Sequence, residues 1–535
     1  MKLNPDSIDW ALRHINKYQT HTSLFPKPFE FEAISAEWVT VKKYLIDLNL
    51  PEGWKIREAR KVFAPKSYYG FRLCTQLDPL DEIIYCALIY EIGSDIEKTR
   101  LEKKSDIVIS SRFLPSSDGG LWDSNYNYKK FELITNSYIA NKNFKFIVST
   151  DIADFFPKIY LHDLEHALDR ASDKKDHIAS LLRLIKGISQ NVSYGIPVGT
   201  IASFLLGELL LDSIDRRLID ENITYCRFVD DFRVFSETKV EAYKYLNFIS
   251  EIIYNTLGGL TLQQGKTRIR KIEDYLTIKK AKPDPITPLS EKFLKFLKNE
   301  IGTEDPYQII DVEKLSKYLK IKLDKFEFDT ILKEQLTQEK SNLNLIKFLL
   351  RRLTQTNNQS AINDILGNFD IFYSVINTVI SYFATLQSID SNLREKIGKK
   401  LIQILKESFI GQSSYNRLWI LSLFAKSSEW GGADELMNLY NRYNDDFTRR
   451  ELIMALGTAG KDYWFSSERK PFPSQFTSWQ RRAFLKAYDC VHEDESYHWY
   501  RAMEMNTHLD ILDKIIIKWM HKKVILRLKH IKNQN

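Results

Sequence analysis

Two aspartate sites constrain this chain more than any other feature. At 144–151, Phe144, Phe146 and Val148 alternate with Lys145, Ile147 and Ser149, which predicts a strand running into Asp151. At 223–236, the runs ITYCRFV and FRVFS are β-branched and aromatic and flank Asp230-Asp231, which predicts two short strands with the carboxylates at their turn. A lone Asp-Asp pair is ordinarily a solvated turn. A strand-end aspartate beside an Asp-Asp hairpin is different, because a shared sheet brings three carboxylates together. Such a cluster repels itself and calls for cations. Mg²⁺ accepts carboxylate and phosphate oxygens in octahedral geometry. Two such ions ~3.5–4 Å apart lower the pKa of an attacking hydroxyl and stabilise a leaving pyrophosphate. The chemistry this pattern suits is nucleotidyl transfer, in which positioning and charge neutralisation supply most of the catalysis.

The rest of the first 275 residues mixes helices and strands. Leu206, Leu210, Ile214 and Leu218 recur at i+4, so 201–219 reads as an amphipathic helix. Pro283, Pro285 and Pro288 fall within six residues, and 276–290 reads as a linker. Beyond it the pattern is helical. Leu343, Ile346, Leu350 and Leu353 fit one helix face, and Leu393, Ile397, Leu401 and Leu405 fit another. Further helices are expected near 415–426, 432–443, 449–459 and 478–490. Such lengths with short gaps suggest stacked pairs, as in a HEAT-like solenoid. Residues 514–535 carry seven Lys/Arg and no acid, which suits a nucleic-acid arm, a solvated helix face or the tail of a capping helix.

Composition sets outer bounds. The chain has 535 residues with 44% hydrophobic and 27% charged, which excludes a largely disordered protein. A net charge of +7 permits a polyanionic partner without demanding one. Cys74, Cys86, Cys226 and Cys490 form no CxxC pair, so a reducing, cytoplasmic setting fits better than a disulfide framework or a zinc site. The start, MKLNPDSIDW, shows no apolar signal region. The uncharged run Ile371 to Ile389 contains Ser374, Asn377, Thr378, Ser381 and Gln387 and reads as a buried helix, not a membrane span.

The company of the aspartates resembles reverse transcriptases. DIADFF (151–156) resembles that family's first carboxylate motif, YGIPVGTIAS (194–203) its Gly-Ile-Pro-x-Gly-Ser segment before a long helix, and FVDD (228–231) its x-x-Asp-Asp motif. LTLQQGKTRI (260–269) is similar to the following Leu-x-Asn-x-x-Lys-Thr element, and 64–88 to the fingers segment. The resemblance implies an α+β chain: an antiparallel palm sheet with helices and fingers, followed by an all-α domain. It implies metal held by Asp151, Ile152, Asp230 and Asp231, two Mg²⁺ with Mn²⁺ as a substitute, and Lys266 near the phosphates as a proton donor. Lys66, Arg72, Phe155, Phe156, Pro197 and Gly199 would contact the nucleotide, the Arg by a bidentate fork and the Lys as a point charge. Phe156 stands where the family places its gate against a ribose 2′-OH. Val198 replaces the usual Gln and Gln263 the usual Asn. The first change removes a polar group near where template and nucleotide meet.

The layout is similar to the bacterial abortive-infection reverse transcriptases, phage-defence proteins with a HEAT-like helical domain after the palm. HINKYQTHTSLFPKPFEFEAI (14–34) resembles that subgroup's leader. The expected division is a leader over 1–40 packing on the polymerase, fingers and palm over 41–280, and helices over 281–535. The resemblance implies homo-oligomers that add dNTPs without a template, from a protein hydroxyl, to a single-stranded DNA that stays attached, with no membrane partner. Tyr18, in the leader, is the candidate primer, with Tyr415 and Tyr440 as rivals. Two other readings stay open: a templated RNA-directed DNA polymerase, and an idle palm whose helical scaffold binds a phage protein or nucleic acid. Asp154 reads as a solvated acid, Trp419 and Trp479 as helix-pair core, and Arg112 as either a nucleic-acid contact or half of an ion pair.

Overall fold

A two-stranded hairpin, a four-stranded sheet and a long series of helices account for the regular structure of the computed structural model. It describes every residue except 23, 51, 191, 282–283, 304, 306–307, 388 and 535, and for 19–22 and 531–534 the backbone alone. The chain divides into two compact units that interleave in sequence. One comprises Met1–Thr22, Trp38–Lys61 and Leu73–Pro283, the other Ser23–Glu37, Val62–Arg72 and Asp284–Asn535. The leader over 1–40 is therefore split, with 23–37 belonging to the helical unit.

In the first unit, strands β3 (Phe146–Asp151), β4 (Thr224–Phe228), β5 (Asp231–Ser236) and β6 (Arg268–Lys271) form one antiparallel sheet in the order β4-β5-β3-β6. β3 and β5 run in register from Phe146↔Ser236 to Asp151↔Asp231. Ile109, Phe131, Ile147, Cys226, Phe235 and Ile272 form a buried cluster, which helices Tyr128–Ala140 and Ile272–Ala281 help build against the sheet. Helix Lys239–Thr256, opened by a Thr238/Glu241 capping box, packs on β3 and β5. Helix Pro79–Thr99 is apolar nearly all round and is buried accordingly. It packs against Pro5–Thr22, Leu161–Ala171, Lys175–Ile188 and Ser203–Asp220. The helix expected over 201–219 spans Ser203–Asp220.

The helical unit is built by alternation. Helices Leu343–Gln355, Ile376–Thr385, Ser414–Phe424, Asp446–Thr458, Ser478–Ala487 and Ile511–Gln534 pack each on the next to form one layer. Ser391–Glu407, Ala433–Arg442 and Glu493–Glu504 fall between them in sequence and pack alongside. The uncharged run at 371–389 supplies the ten-residue buried helix Ile376–Thr385, and no helix among the described residues is long and apolar enough to cross a membrane. One expectation changes. Most of 276–290 is helix, not linker, because Ile272–Ala281 and Ile286–Phe296 leave only a short connection, in which Pro283 lies outside the described residues. The basic C-terminal stretch is a packed helix whose Lys518 and Lys522 pair with Glu37 and whose Arg527 pairs with Asp489.

Candidate active site

Antiparallel register puts Asp151, the last residue of β3, opposite Asp231, the first of β5, and Asp230 sits in the turn between β4 and β5. Three carboxylates thus gather at one end of the sheet. Burial, followed by the charge of Asp151, pushes the Asp230 carboxyl up to about 7. Burial also raises Asp231, against the opposing pull of Arg233.

Each flanking aspartate is answered by a cation. Lys266 Nζ donates to Asp151 Oδ2 and Arg233 forks onto both oxygens of Asp231, one arm at 3.1 Å. Lys266 arrives there because the 263–267 turn is pinned to the strand end. Gln263 N–H donates to the Asp151 carbonyl at 2.7 Å, and Lys266 and Thr267 N–H both donate to the Gln263 carbonyl at 3.0 Å. Among the described residues no three His, Cys, Asp or Glu side chains already form a metal cage. The donor set nevertheless fits a hard divalent ion: clustered carboxylates, one destabilised by its neighbour, with cationic side chains standing where opposite charge is needed.

The turn itself is held from behind. Val229 has φ 54, a strained conformation for a β-branched residue. Both sides of it are gripped. Its N–H donates to Ser110 Oγ at 2.7 Å, and Arg227 Nη1 donates to its carbonyl at 2.6 Å. Arg227 is fully buried and also donates to Glu208 Oε2 at 3.0 Å and, through Nε, to Asp215 Oδ1 at 3.0 Å. Ser110 donates to Glu208, as does Arg100 Nη2 at 2.9 Å, and Tyr225 donates to Asp215 at 2.9 Å. Burial works against the charge on Arg227, but Asp215 and Glu208 more than restore it.

The sequence reading missed this network. One signal was available: Glu208 and Asp215 stand seven residues apart on the apolar side of a helix, and Arg227 interrupts a strand buried on both faces. Arg112 proves to be half of an ion pair. It is fully enclosed, with Nη1 reaching Glu97 at 3.3 Å and the Leu101 carbonyl at 2.8 Å.

The other sequence candidates divide. Ile152 follows Asp151 and bridges Leu262. Phe155 is buried, while Phe156 is half-buried with its ring 5.1 Å from both Phe155 and Phe204. The Phe156 carbonyl accepts from Ile196 N–H at 3.0 Å, so 194–199 runs alongside the DIADFF segment. Gly195 is required there: its φ is +91, and a Cβ would come within 2.8 Å of the Pro157 carbonyl oxygen. The Pro197 carbonyl accepts from Ser203 Oγ at 2.7 Å, the Val198 carbonyl from Thr75 N–H at 2.7 Å, and Gly199 has φ 146. Asp154 is exposed, 3.6 Å from Lys158.

Lys66 and Arg72 belong to the 62–72 segment of the helical unit. That segment forms the tip of the hairpin between β1 (Arg60–Pro65) and β2 (Phe71–Gln76). Tyr18 lies in helix Pro5–Thr22, half-buried, with its ring 4.9 Å from that of His14. Tyr415 is buried, Tyr440 packs edge-on to Trp464, and Trp419 and Trp479 are buried.

Residues 101–297 match the reverse transcriptase (RNA-dependent DNA polymerase) family model. The retron Ec73 reverse transcriptase of Escherichia coli is 33% identical over 113 residues, 19% of this chain and 35% of that protein, so the chain spans about a third of this curated relative. Among solved structures, apo telomerase from Candida tropicalis aligns over 73% of each chain at 13% identity and TM-score 0.33. Telomerase from Candida albicans with a fragment of telomeric RNA aligns over 84% of this chain and 70% of that one, at 14% and 0.29. TM-scores this low bear neither on fold nor on function. The family-model match spans the sheet that carries the three aspartates. Over residues 101–297 the chain is thus similar to the reverse transcriptase domain, and that stretch includes Asp151, Asp230 and Asp231.

Proposed function

We propose that this protein is an Mg²⁺-dependent DNA polymerase of the reverse transcriptase family that acts in bacterial defence against phage. The observation that carries the reading is the register of the sheet, which sets Asp151 against Asp231 with Asp230 in the adjoining turn. Asp151, Asp230, Asp231 and the Ile152 carbonyl would hold the metal, which when bound activates the attacking hydroxyl and neutralises the charge of the leaving pyrophosphate. Lys266, which donates to Asp151, would pass from carboxylate to phosphate and protonate a leaving oxygen. The ring of Phe156, half-exposed beside the carboxylates in sequence, is the wall against a 2′-hydroxyl.

Within that activity we favour untemplated synthesis from a protein hydroxyl, with the DNA left attached and the chains associated as homo-oligomers. What supports it is the leader and helical layout shared with the abortive-infection enzymes, together with Val198 in place of the family's Gln. The alternating helices of the second unit are read as a HEAT-like solenoid on the same grounds. Templated copying is the competing reading, and the 113-residue likeness to a retron reverse transcriptase favours it.

One experiment separates them. Pure protein is incubated with Mg²⁺ and labelled dNTPs, without primer or template, and run on a denaturing gel before and after protease. Label that travels with the protein, shifts on proteolysis and is absent in Asp230→Asn supports the untemplated reading. Extension only after a primed RNA template is added establishes copying. No incorporation under either condition would overturn the polymerase reading.

A further inference from the structure

Of the ten histidines, only His162 and His166 stand three or four positions apart, and both fall on helix Leu161–Ala171. That spacing puts two imidazoles one turn apart on one face. The ring centroids lie 4.4 Å apart, with the planes at 59°. Both side chains are exposed, and among the described residues neither ring makes a hydrogen bond. Three other histidines are taken up elsewhere: His14 Nδ1 lies 2.9 Å from the Gly119 carbonyl, His177 Nε2 2.6 Å from Glu91 and His521 Nδ1 2.8 Å from Glu504.

Two carboxylates border the pair. Glu165 Oε2 stands 3.5 Å from His162 Nδ1, which leaves Nε2 as the nitrogen open to a ligand. A carboxylate behind an imidazole in this way orients the ring and raises its basicity toward a metal. Asp163, half-buried, keeps one enclosed oxygen, Oδ2, with no hydrogen-bond partner among the described residues. Burial raises its carboxyl against the pull of both imidazoles, so it sits in the field of both rings. A merely solvated helix face needs neither the paired rings nor that enclosed oxygen. An ion held tetrahedrally with Zn–N of ~2.0–2.1 Å sets its two nitrogens roughly 3.3 Å apart. Rings whose centres lie 4.4 Å apart reach that by small side-chain rotations.

We propose that His162 and His166 form a two-imidazole site for a divalent transition-metal ion, Zn²⁺ foremost. Imidazole suits Zn²⁺ and its neighbours, whereas Mg²⁺ prefers oxygen, so this site and a carboxylate site select different ions. No three-residue cage is present among the described residues, so the ion keeps open positions that water fills. The site uses none of the three aspartates and does not depend on the polymerase reading. Its place in the fold gives it a consequence. Leu161 N–H donates to the Ser193 carbonyl at 2.9 Å, and Gly195 N–H to the Ile159 carbonyl at 2.8 Å. The start of the helix is thereby stitched to the 194–199 segment. An ion clipped across the first turns of the helix stiffens the support of that segment.

The test is metal binding by the untagged full-length protein, stripped with EDTA and desalted. Zn²⁺ is titrated against a chromophoric chelator in excess Mg²⁺, without nucleotide. The parent should take up one equivalent that Mg²⁺ does not displace. His162→Gln and His166→Gln keep helix-favouring side chains at exposed positions, and each should weaken Zn²⁺ roughly a hundredfold. Glu165→Gln, which removes only the carboxylate behind the ring, should weaken it roughly tenfold. His508→Ala, at an exposed histidine elsewhere, and Asp230→Asn should bind as the parent does. Affinities of both histidine variants within twofold of the parent overturn the site. Loss of the bound equivalent in Asp230→Asn also overturns it, because the ion then sits on the aspartates.

Discussion

Arg227 in the sheet unit and Arg450 in the helical unit are both enclosed guanidiniums answered by glutamate, yet they are spent differently. Arg227 meets Asp215 and Glu208, 12 and 19 residues away, and its remaining arm ends on the carbonyl of the strained Val229. Arg450 reaches Glu30, 420 residues away, and Glu451 beside it, while Trp479 lies against both Arg450 and Arg482 at 5.5 and 4.6 Å. One network fixes the shape of a two-residue turn. The other fixes a short segment, 23–37, whose neighbours on both sides in sequence belong to the other unit. A buried ion pair is weak support for stability, since desolvation offsets most of its attraction. What both provide is registration, of the aspartate turn in one case and of a chain crossing in the other.

The comparison is sharpened most by removing the function and sparing the frame. Asp230→Asn should reduce incorporation by at least roughly a thousandfold. It should not lower the melting temperature, because it takes one charge from a crowded, self-repelling set. Retained incorporation in that variant would detach the turn from the chemistry.

Breaking each network comes next. Arg227→Ala takes the guanidinium away from Asp215 and Glu208, and Glu30→Ala takes a carboxylate away from Arg450 and Arg482, so each should cost about 3–5 kcal/mol in denaturant unfolding. The two should part on activity. Arg227→Lys, which keeps the charge but not the fork, should lower kcat and raise the Mg²⁺ needed for half-maximal rate. Glu30→Gln should leave both within about twofold per folded molecule. If the two variants behave alike in kinetics, registration of the turn is not what Arg227 supplies. Ser110→Ala should show the same Mg²⁺ signature more weakly, with a stability loss of about 1–3 kcal/mol for the two buried hydrogen bonds of its hydroxyl.

Phe156→Ala tests a third, smaller effect. Opening that wall should relax discrimination against ribonucleotides by roughly tenfold to a hundredfold, measured as the ratio of kcat/KM for dATP and ATP. An unchanged ratio removes Phe156 from the gate.

Much of the frame was legible before the structure. Alternation located β3, β4 and β5 to within two residues, and the i+4 leucines located Ser203–Asp220. Both signals are periodic and local. The convergence of the aspartates was legible because strand register converts sequence order into contact. The proline-rich stretch misled, because prolines near helix starts were read as a linker: Pro285 is the N-cap and Pro288 lies in the first turn of Ile286–Phe296. The split leader and the Arg450–Glu30 pair were not legible, since nothing local marks a partner 420 residues away. Arg72 was visible as a cation, but that Lys347 feels its charge depends on tertiary packing of a helix some 275 residues further on.

The smallest effect concerns pH and returns to the front of the turn. The Asp230 carboxyl is raised to about 7 from an ordinary 3.8, first by burial and then by Asp151. Between those two values the folded protein holds a proton there that the unfolded chain has released. The derivative of unfolding free energy with pH is therefore negative, and metal-free protein should lose stability as pH rises from about 4 to about 7, then level off. Arg227 cannot produce such a slope, because its guanidinium stays charged throughout. Thermal melts in EDTA at pH 5.5 and 8.0 should show the lower melting temperature at pH 8.0, and Asp230→Asn should narrow the gap. Added Mg²⁺ should raise the melting temperature more at pH 8.0 than at 5.5, because the ion competes with that proton for the same oxygens. If the gap is the same size in Asp230→Asn and in the parent, the strain at the turn is carried by its backbone and not by its carboxylates.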